Sequence, residues 1–155
     1  MARALAELSR RARVLGVSTI YRTPPLGRPD QPSFYNGVCQ IQCIMSPRDL
    51  KFEVLRKIEA DLGRVRGADK WAPRPIDLDI LLCGDAVVEE GDLVIPDRDL
   101  CSRPFLAIPL LELAPDLVVP AGGGPLRSLV KQLDPSGMEP LVDYTRELRQ
   151  VLGLA

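Results

Sequence analysis

Residues 70–81 read Lys70-Trp71-Ala72-Pro73-Arg74-Pro75-Ile76-Asp77-Leu78-Asp79-Ile80-Leu81. From Ile76 to Cys83 the pattern alternates, which predicts a β-strand. Successive side chains on a strand point to opposite faces, so Ile76, Leu78, Ile80 and Leu82 share one face and Asp77 and Asp79 the other. The strand rise puts the two Asp Cα atoms roughly 6.5–7 Å apart. Carboxylates that close, beside apolar neighbours, are costly unless protonated or met by cations. Such a pair suits Mg2+, which takes one or two carboxylates and fills its shell with water and substrate phosphate. Arg64, Arg66, Lys70 and Arg74 lie just upstream, and cations of this kind hold phosphate oxygens. Acid for a metal and base for phosphate, all within residues 64–79, suggests phosphoryl chemistry. The plainer alternative is the solvated face of a half-covered sheet. The Pro-Arg-Pro lead-in, Trp71 and the upstream cations weigh toward the metal.

The 155 residues suffice for one domain with a real core, and a single domain over residues 1–155 is expected, with the tail from 137 the least legible part. Net charge is −1, so no bulk attraction to nucleic acid or to an anionic membrane is expected. No apolar run approaches the roughly 20 residues that span a bilayer. The start Met-Ala-Arg-Ala-Leu-Ala-Glu-Leu lacks a signal-peptide core, which predicts a cytoplasmic protein. The four cysteines, at 39, 43, 83 and 101, form no Cys-x-x-Cys pair, and there is no histidine. A zinc site is therefore not expected, and the usual general base and Ser-His or Cys-His dyads are excluded.

Residues 2–15 place Leu5, Leu8, Ala12 and Leu15 at helical spacing, with Gly16 as the stop. A strand is expected over 17–22, a rigid Pro-rich loop over 23–32 and a second strand over 33–45. In that second strand Cys39, Ile41, Cys43 and Met45 line one face. Ser46-Pro47-Arg48-Asp49 is a helix start, followed by the apolar stripe Leu50, Val54, Leu55, Ile58 and Leu62. A hairpin near 87–95, a helix over 104–113 that contains a proline, a turn at 122–124 and helices over 126–133 and 140–152 complete the pattern. This order fits an α+β sandwich with helices on one side of an antiparallel sheet.

The residues now in view resemble the 6-hydroxymethyl-7,8-dihydropterin pyrophosphokinases of folate biosynthesis. The signature basic-x-Gly/Ala-Pro-Arg-x-x-Asp-Leu-Asp is matched throughout residues 70–79. Tyr21-Arg22-Thr23-Pro24-Pro25-Leu26-Gly27, Phe34-Tyr35-Asn36, Ile58-Glu59, Gly63-Arg64-Val65-Arg66 and Arg103-Pro104-Phe105 follow the family order over roughly residues 15–120. The resemblance implies a ferredoxin-like α/β sandwich, here lacking the family's first strand. It implies Mg2+-dependent transfer of diphosphate from ATP, the co-substrate, to the pterin alcohol, with AMP leaving. Asp77 and Asp79 would hold two Mg2+ ions, and Arg64 and Arg74 would be catalytic phosphate-binding arginines. Glu59, Arg66, Lys70, Trp71, Ile80 and Arg103 would meet ATP. Thr23, Pro25, Leu26, Gly27, Phe34, Asn36 and Phe105 would form the pterin pocket. Partners would be these small molecules, with no nucleic acid or membrane, and the protein a monomer. Asp97 stands where the family often has His, and Arg56 where a polar uncharged reader of adenine is common. Competing readings are a truncated or non-catalytic relative that only binds nucleotide or pterin, an RNA-binding sandwich and a nucleotidyltransferase. The Asp pair opposes the RNA-binding reading, and the Gly-Ser helix entrance of the nucleotidyltransferases is absent.

Overall fold

A computed structural model describes residues 1–25, 32–65 and 75–154. Among them the order is helix α1 (Ala2–Ser9), strands β1 (Arg13–Val17), β2 (Tyr21–Thr23), β3 (Phe34–Asn36) and β4 (Cys39–Gln42), then a helical stretch. That stretch is built of α2 (Pro47–Asp49), a π-helical segment (Leu50–Leu55) and α3 (Arg56–Asp61). Hairpin β5 (Val88–Glu90) and β6 (Leu93–Ile95), helix α4 (Pro104–Leu113), the pair β7 (Val118–Val119) and β8 (Gly124–Pro125), helix α5 (Leu126–Val130), strand β9 (Glu139–Pro140) and helix α6 (Val142–Val151) follow.

Helix α1 is shorter than its periodicity predicts. It ends at Ser9, and Leu15 and Gly16 lie in β1, paired antiparallel with β4. The reason is edge pairing: Val14 faces Ile41 and Val17 faces Cys39, so ladder bonds replace two further helical turns. The strand expected over 33–45 divides at Gly37 into β3, which pairs with β2, and β4, which pairs with β1. The pairings are antiparallel, as expected, but among the described residues they form four separate sheets, of which β3-β2-β9 has three strands. The helix starts at Ser46, as its residues predict: the serine hydroxyl accepts the Asp49 N–H at 3.1 Å, with Pro47 in the first turn.

Residues 76–82 are the main correction. They alternate in exposure only as far as Ile80, Leu81 and Leu82 both turning to the second cluster, and among the described residues they pair with no strand. Two of their backbone bonds go elsewhere: Leu78 N–H donates to Glu59 at 2.7 Å, and Leu81 C=O accepts the Asp97 N–H at 2.9 Å. Alternation reports which face is buried, not whether a neighbouring strand supplies partners. The segment is held by its apolar face. Ile76, Leu78 and Ile80 pack on the cluster of Ala4, Leu8, Ala12, Leu50, Val54, Leu55 and Ile58, beside Cys39, Ile41, Cys43 and Met45. Each fully buried aliphatic side chain there contributes about 1.5–3 kcal/mol, so α1, β4, the 47–61 stretch and the Asp-bearing segment are bound into one unit.

A second cluster joins α4 and α5 through Leu100, Ala107, Leu110, Val119 and Leu126. A third places Leu148 of α6 against Leu5, Val17 and Ile20. Glu112 of α4 ties the two sides together, accepting from Thr19 N–H and Tyr21 O–H, each at 2.7 Å.

Candidate active site

Asp77 and Asp79 lie on the open face of the extended segment, and their alternation with three packed apolar residues sets that direction. Each has a basic neighbour. The Arg64 guanidinium donates to Asp77, and it donates to Glu59 at 2.5 Å. The Lys51 ammonium lies 4.0 Å from Asp79 Oδ1 and donates to the backbone C=O of Asp92.

Glu59 is 2% exposed, the most buried acidic side chain of this group. Its Oε1 accepts both from Arg64 and from the N–H of Leu78, the residue between the two aspartates. A buried carboxylate must be paired and hydrogen-bonded, and here those bonds fix the backbone that carries the Asp pair. Burial pulls the Arg64 pKa down, but its bond to Asp77 and the charges of Asp77, Glu59 and Asp79 outweigh that and raise it. Burial raises the Asp79 pKa, and repulsion from Asp77, Asp97 and Glu59 adds to it, while Lys51 opposes. Two repelling carboxylates on one open face, with oxygen donors only, fit a divalent cation. Among the described residues no group of three or more His, Cys, Asp or Glu side chains is gathered for a metal. A cation there would take the Asp pair and fill its shell from water and phosphate.

Beside Asp79 opens a cleft of about 310 Å³ lined by Lys51, Asp79, Ile80, Asp92, Val94, Asp97, Arg98 and Asp99. Its outer wall is the β5–β6 hairpin. Glu90 pairs with Leu93 across a two-residue Gly91-Asp92 turn, and Gly91 takes the positive φ of 57° that a tight turn needs. Asp92 accepts from Arg56 at 2.7 Å, and the Arg56 guanidinium lies 4.3 Å from the centre of the Phe52 ring. Arg103, at the start of α4, pairs with Asp99 at 3.0 Å and lies 5.8 Å from the Phe105 ring centre.

Of the candidate pterin residues, Thr23, Phe34 and Asn36 lie on the paired strands β2 and β3, whereas Phe105 lies in α4. Thr23 pairs with Phe34, Tyr21 with Asn36, and Asn36 Nδ2 donates to the Thr23 hydroxyl at 2.7 Å. Phe34 is 42% exposed, more than a core phenylalanine would be. Pro25 ends the described stretch. Leu26, Gly27, Arg66, Lys70, Trp71 and Arg74 lie outside the described residues. Lys51, Asp92, Val94 and Asp99 were not legible as cleft residues. The available signal was Lys51 itself, a cation in line with Leu55, Ile58 and Leu62 on an apolar helical face.

With this geometry in place, comparison with known proteins is direct. The model of the 7,8-dihydro-6-hydroxymethylpterin-pyrophosphokinase family matches residues 1–115. The 2-amino-4-hydroxy-6-hydroxymethyldihydropteridine pyrophosphokinase of Methylorubrum extorquens is 46% identical over 127 residues, covering 82% of this chain and 78% of that protein. The protein of the same name from Haemophilus influenzae is 40% identical over 130 residues, 84% and 79% of the two chains. Folic acid synthesis protein fol1 of Schizosaccharomyces pombe is 45% identical over 126 residues, which are 81% of this chain and 17% of that protein. A match over residues 1–115, with the Asp pair and its basic partners inside it, places the chain in the 7,8-dihydro-6-hydroxymethylpterin-pyrophosphokinase family.

Proposed function

We propose that this chain is a diphosphokinase of folate biosynthesis, moving the terminal diphosphate of ATP to 6-hydroxymethyl-7,8-dihydropterin and releasing AMP. The observation that carries this reading is the Asp77–Asp79 pair, open to solvent and bordered by Arg64, Lys51 and the cleft. It acts as a single-domain cytoplasmic monomer with a ferredoxin-like sandwich, in which β4 and the side chains of Ile76, Leu78 and Ile80 lie on the same apolar cluster. No helix among the described residues is long and apolar enough to cross a membrane.

Asp77 and Asp79 would be the protein ligands that hold two Mg2+ ions. Bound Mg2+ supplies charge neutralisation on the triphosphate and a lowered pKa for the attacking hydroxyl. The pterin hydroxyl oxygen forms a bond to the β-phosphorus in line, and the bond from that phosphorus to the α,β-bridging oxygen breaks. AMP leaves with the electron pair, and the hydroxyl proton passes to solvent water, with Asp77 the side chain that would face the hydroxyl. Such transfer depends on positioning and charge rather than on a strong base, so a histidine-free chain is suited to it. Arg64 and Arg74 bind the transferring phosphates, with Arg66, Lys70 and Arg103 holding the rest of the triphosphate. Ile80 and Trp71 border the nucleotide, and Glu59 acts from below through Arg64 and Leu78. The pterin ring stacks between Phe34 and Phe105, with its edge read by Asn36 and by the Thr23, Pro25, Leu26 and Gly27 loop.

The test is product analysis of the chain incubated with Mg2+, ATP and the pterin alcohol. One AMP per pterin consumed is the expected result. ADP in its place, or pyrophosphate, would exclude diphosphate transfer.

A further inference from the structure

Lys51 is a cation that neither the metal pair nor the phosphate-binding arginines account for. Its side chain is only 14% exposed, although lysines ordinarily extend into water. It stands on the π-helical segment Leu50–Leu55, whose neighbours Leu50, Val54 and Leu55 are buried. Wide turns of this kind are uncommon and gather at functional sites. From there the ammonium reaches into the cleft, donating to the Asp92 C=O on one wall and standing 4.0 Å from Asp79 Oδ1 on the other. The charged groups lining that cleft are otherwise Asp79, Asp92, Asp97, Asp99 and Arg98. Arg98 is turned to Glu89 at 2.5 Å, and its side chain is 68% exposed. Lys51 is therefore the inward-held positive charge among these lining groups. A polyphosphate entering so acidic a cleft needs a cation at its wall, and a divalent ion arriving at Asp79 displaces the one already there.

We propose that Lys51 is a nucleotide-binding residue: it occupies the Asp79 carboxylate in the free protein and exchanges that contact for a phosphate oxygen of ATP when a divalent ion takes Asp79. This rests on the diphosphokinase reading of the same cleft, but it is tested by binding and needs no turnover. An ammonium has three donors and no acceptor, so either an Asp carboxylate or a phosphate satisfies it, while its bond to the Asp92 carbonyl keeps it at the wall.

The exchange has a signature that a structural role does not share. In Lys51→Gln the amide keeps a donor for the Asp92 carbonyl but removes the charge. Mn2+ binding without nucleotide, followed by electron paramagnetic resonance, is expected to tighten, because a competitor for Asp79 is gone. Binding of the Mg2+ complex of a non-hydrolysable ATP analogue, followed by calorimetry, is expected to weaken about tenfold, as for loss of one charge-assisted hydrogen bond. Adenosine binding is expected to be unchanged, and Lys51→Arg to recover most of the loss. If metal and nucleotide binding fall together, or if neither moves, the proposal is overturned. Lys51→Met gives the same comparison if the Gln variant does not fold. Product analysis of the unaltered chain tests the underlying activity separately, so the failure of one is not mistaken for failure of the other.

Discussion

Glu59 accepts the backbone N–H of Leu78 at 2.7 Å, and so the middle residue of Asp77-Leu78-Asp79 is fixed by a buried carboxylate rather than by a ladder bond. The same oxygen takes Arg64, which reaches on to Asp77. One side chain thus sets both the backbone of the aspartate pair and the resting place of Arg64.

Glu59→Ala is accordingly expected to destabilise the fold by about 3 kcal/mol, since it leaves buried Arg64 with Asp77 alone and the Leu78 N–H without its acceptor. Glu59→Gln retains the acceptor for Leu78 and is expected to lose less. Urea unfolding of the two variants measures the difference, and an alanine variant as stable as the parent would contradict the clamp.

Asp79→Asn removes a proposed metal ligand from a half-exposed site, so stability is expected to change by less than about 1 kcal/mol. Turnover should fall at least about a hundredfold, because charge stabilisation of several kcal/mol is lost. Steady-state kinetics beside thermal unfolding separates the two effects. Near-normal turnover would remove Asp79 from the metal site.

Gly37 lies between β3 and β4, and a Cβ there would come within 2.5 Å of Ile20 Cδ1 and 3.3 Å of the Ser18 hydroxyl. Ile20 is fully enclosed and has little room to yield. Gly37→Ala is expected to cost roughly 1–3 kcal/mol by overpacking. The adjacent Asn36 should shift as well, which would weaken pterin binding more than ATP binding in calorimetry.

Burial pushes the Cys39 thiol from its ordinary value of 9.0 up to about 11. The folded state therefore holds its proton where the unfolded chain has lost it, and stability contributed below pH 9 is lost as the pH rises through 11. The loss is expected to be on the order of 2 kcal/mol, read from urea midpoints between pH 8.5 and 11. Cys83 and Cys101 are exposed and free, so a thiol reagent at pH 8 should modify them well before Cys39.

Much of this site was open to a reading of the sequence, because its signals are local. The Asp77/Asp79 alternation, the Ser46 cap and the Cys39–Met45 face each follow from a few adjacent residues, and the structure shows each arrangement. What escaped depends on distant partners. Residues 76–82 look like a strand in sequence, but ladder bonds belong to pairs of segments. Lys51 and Asp92 lie 41 residues apart and meet only through the turn at Gly91 and the π-helical segment. Helix α1 is shorter than its spacing predicts because pairing of β1 with β4 overrides the helical position of Leu15.

The central claim is the proposed role of Asp77 and Asp79 as the side chains that would hold divalent ions together with ATP. Mn2+ titration of the protein with a non-hydrolysable ATP analogue, followed by electron paramagnetic resonance, tests it most directly. Two bound ions per chain, reduced in both Asp77→Asn and Asp79→Asn, is the predicted result. Undiminished binding in both variants would contradict it.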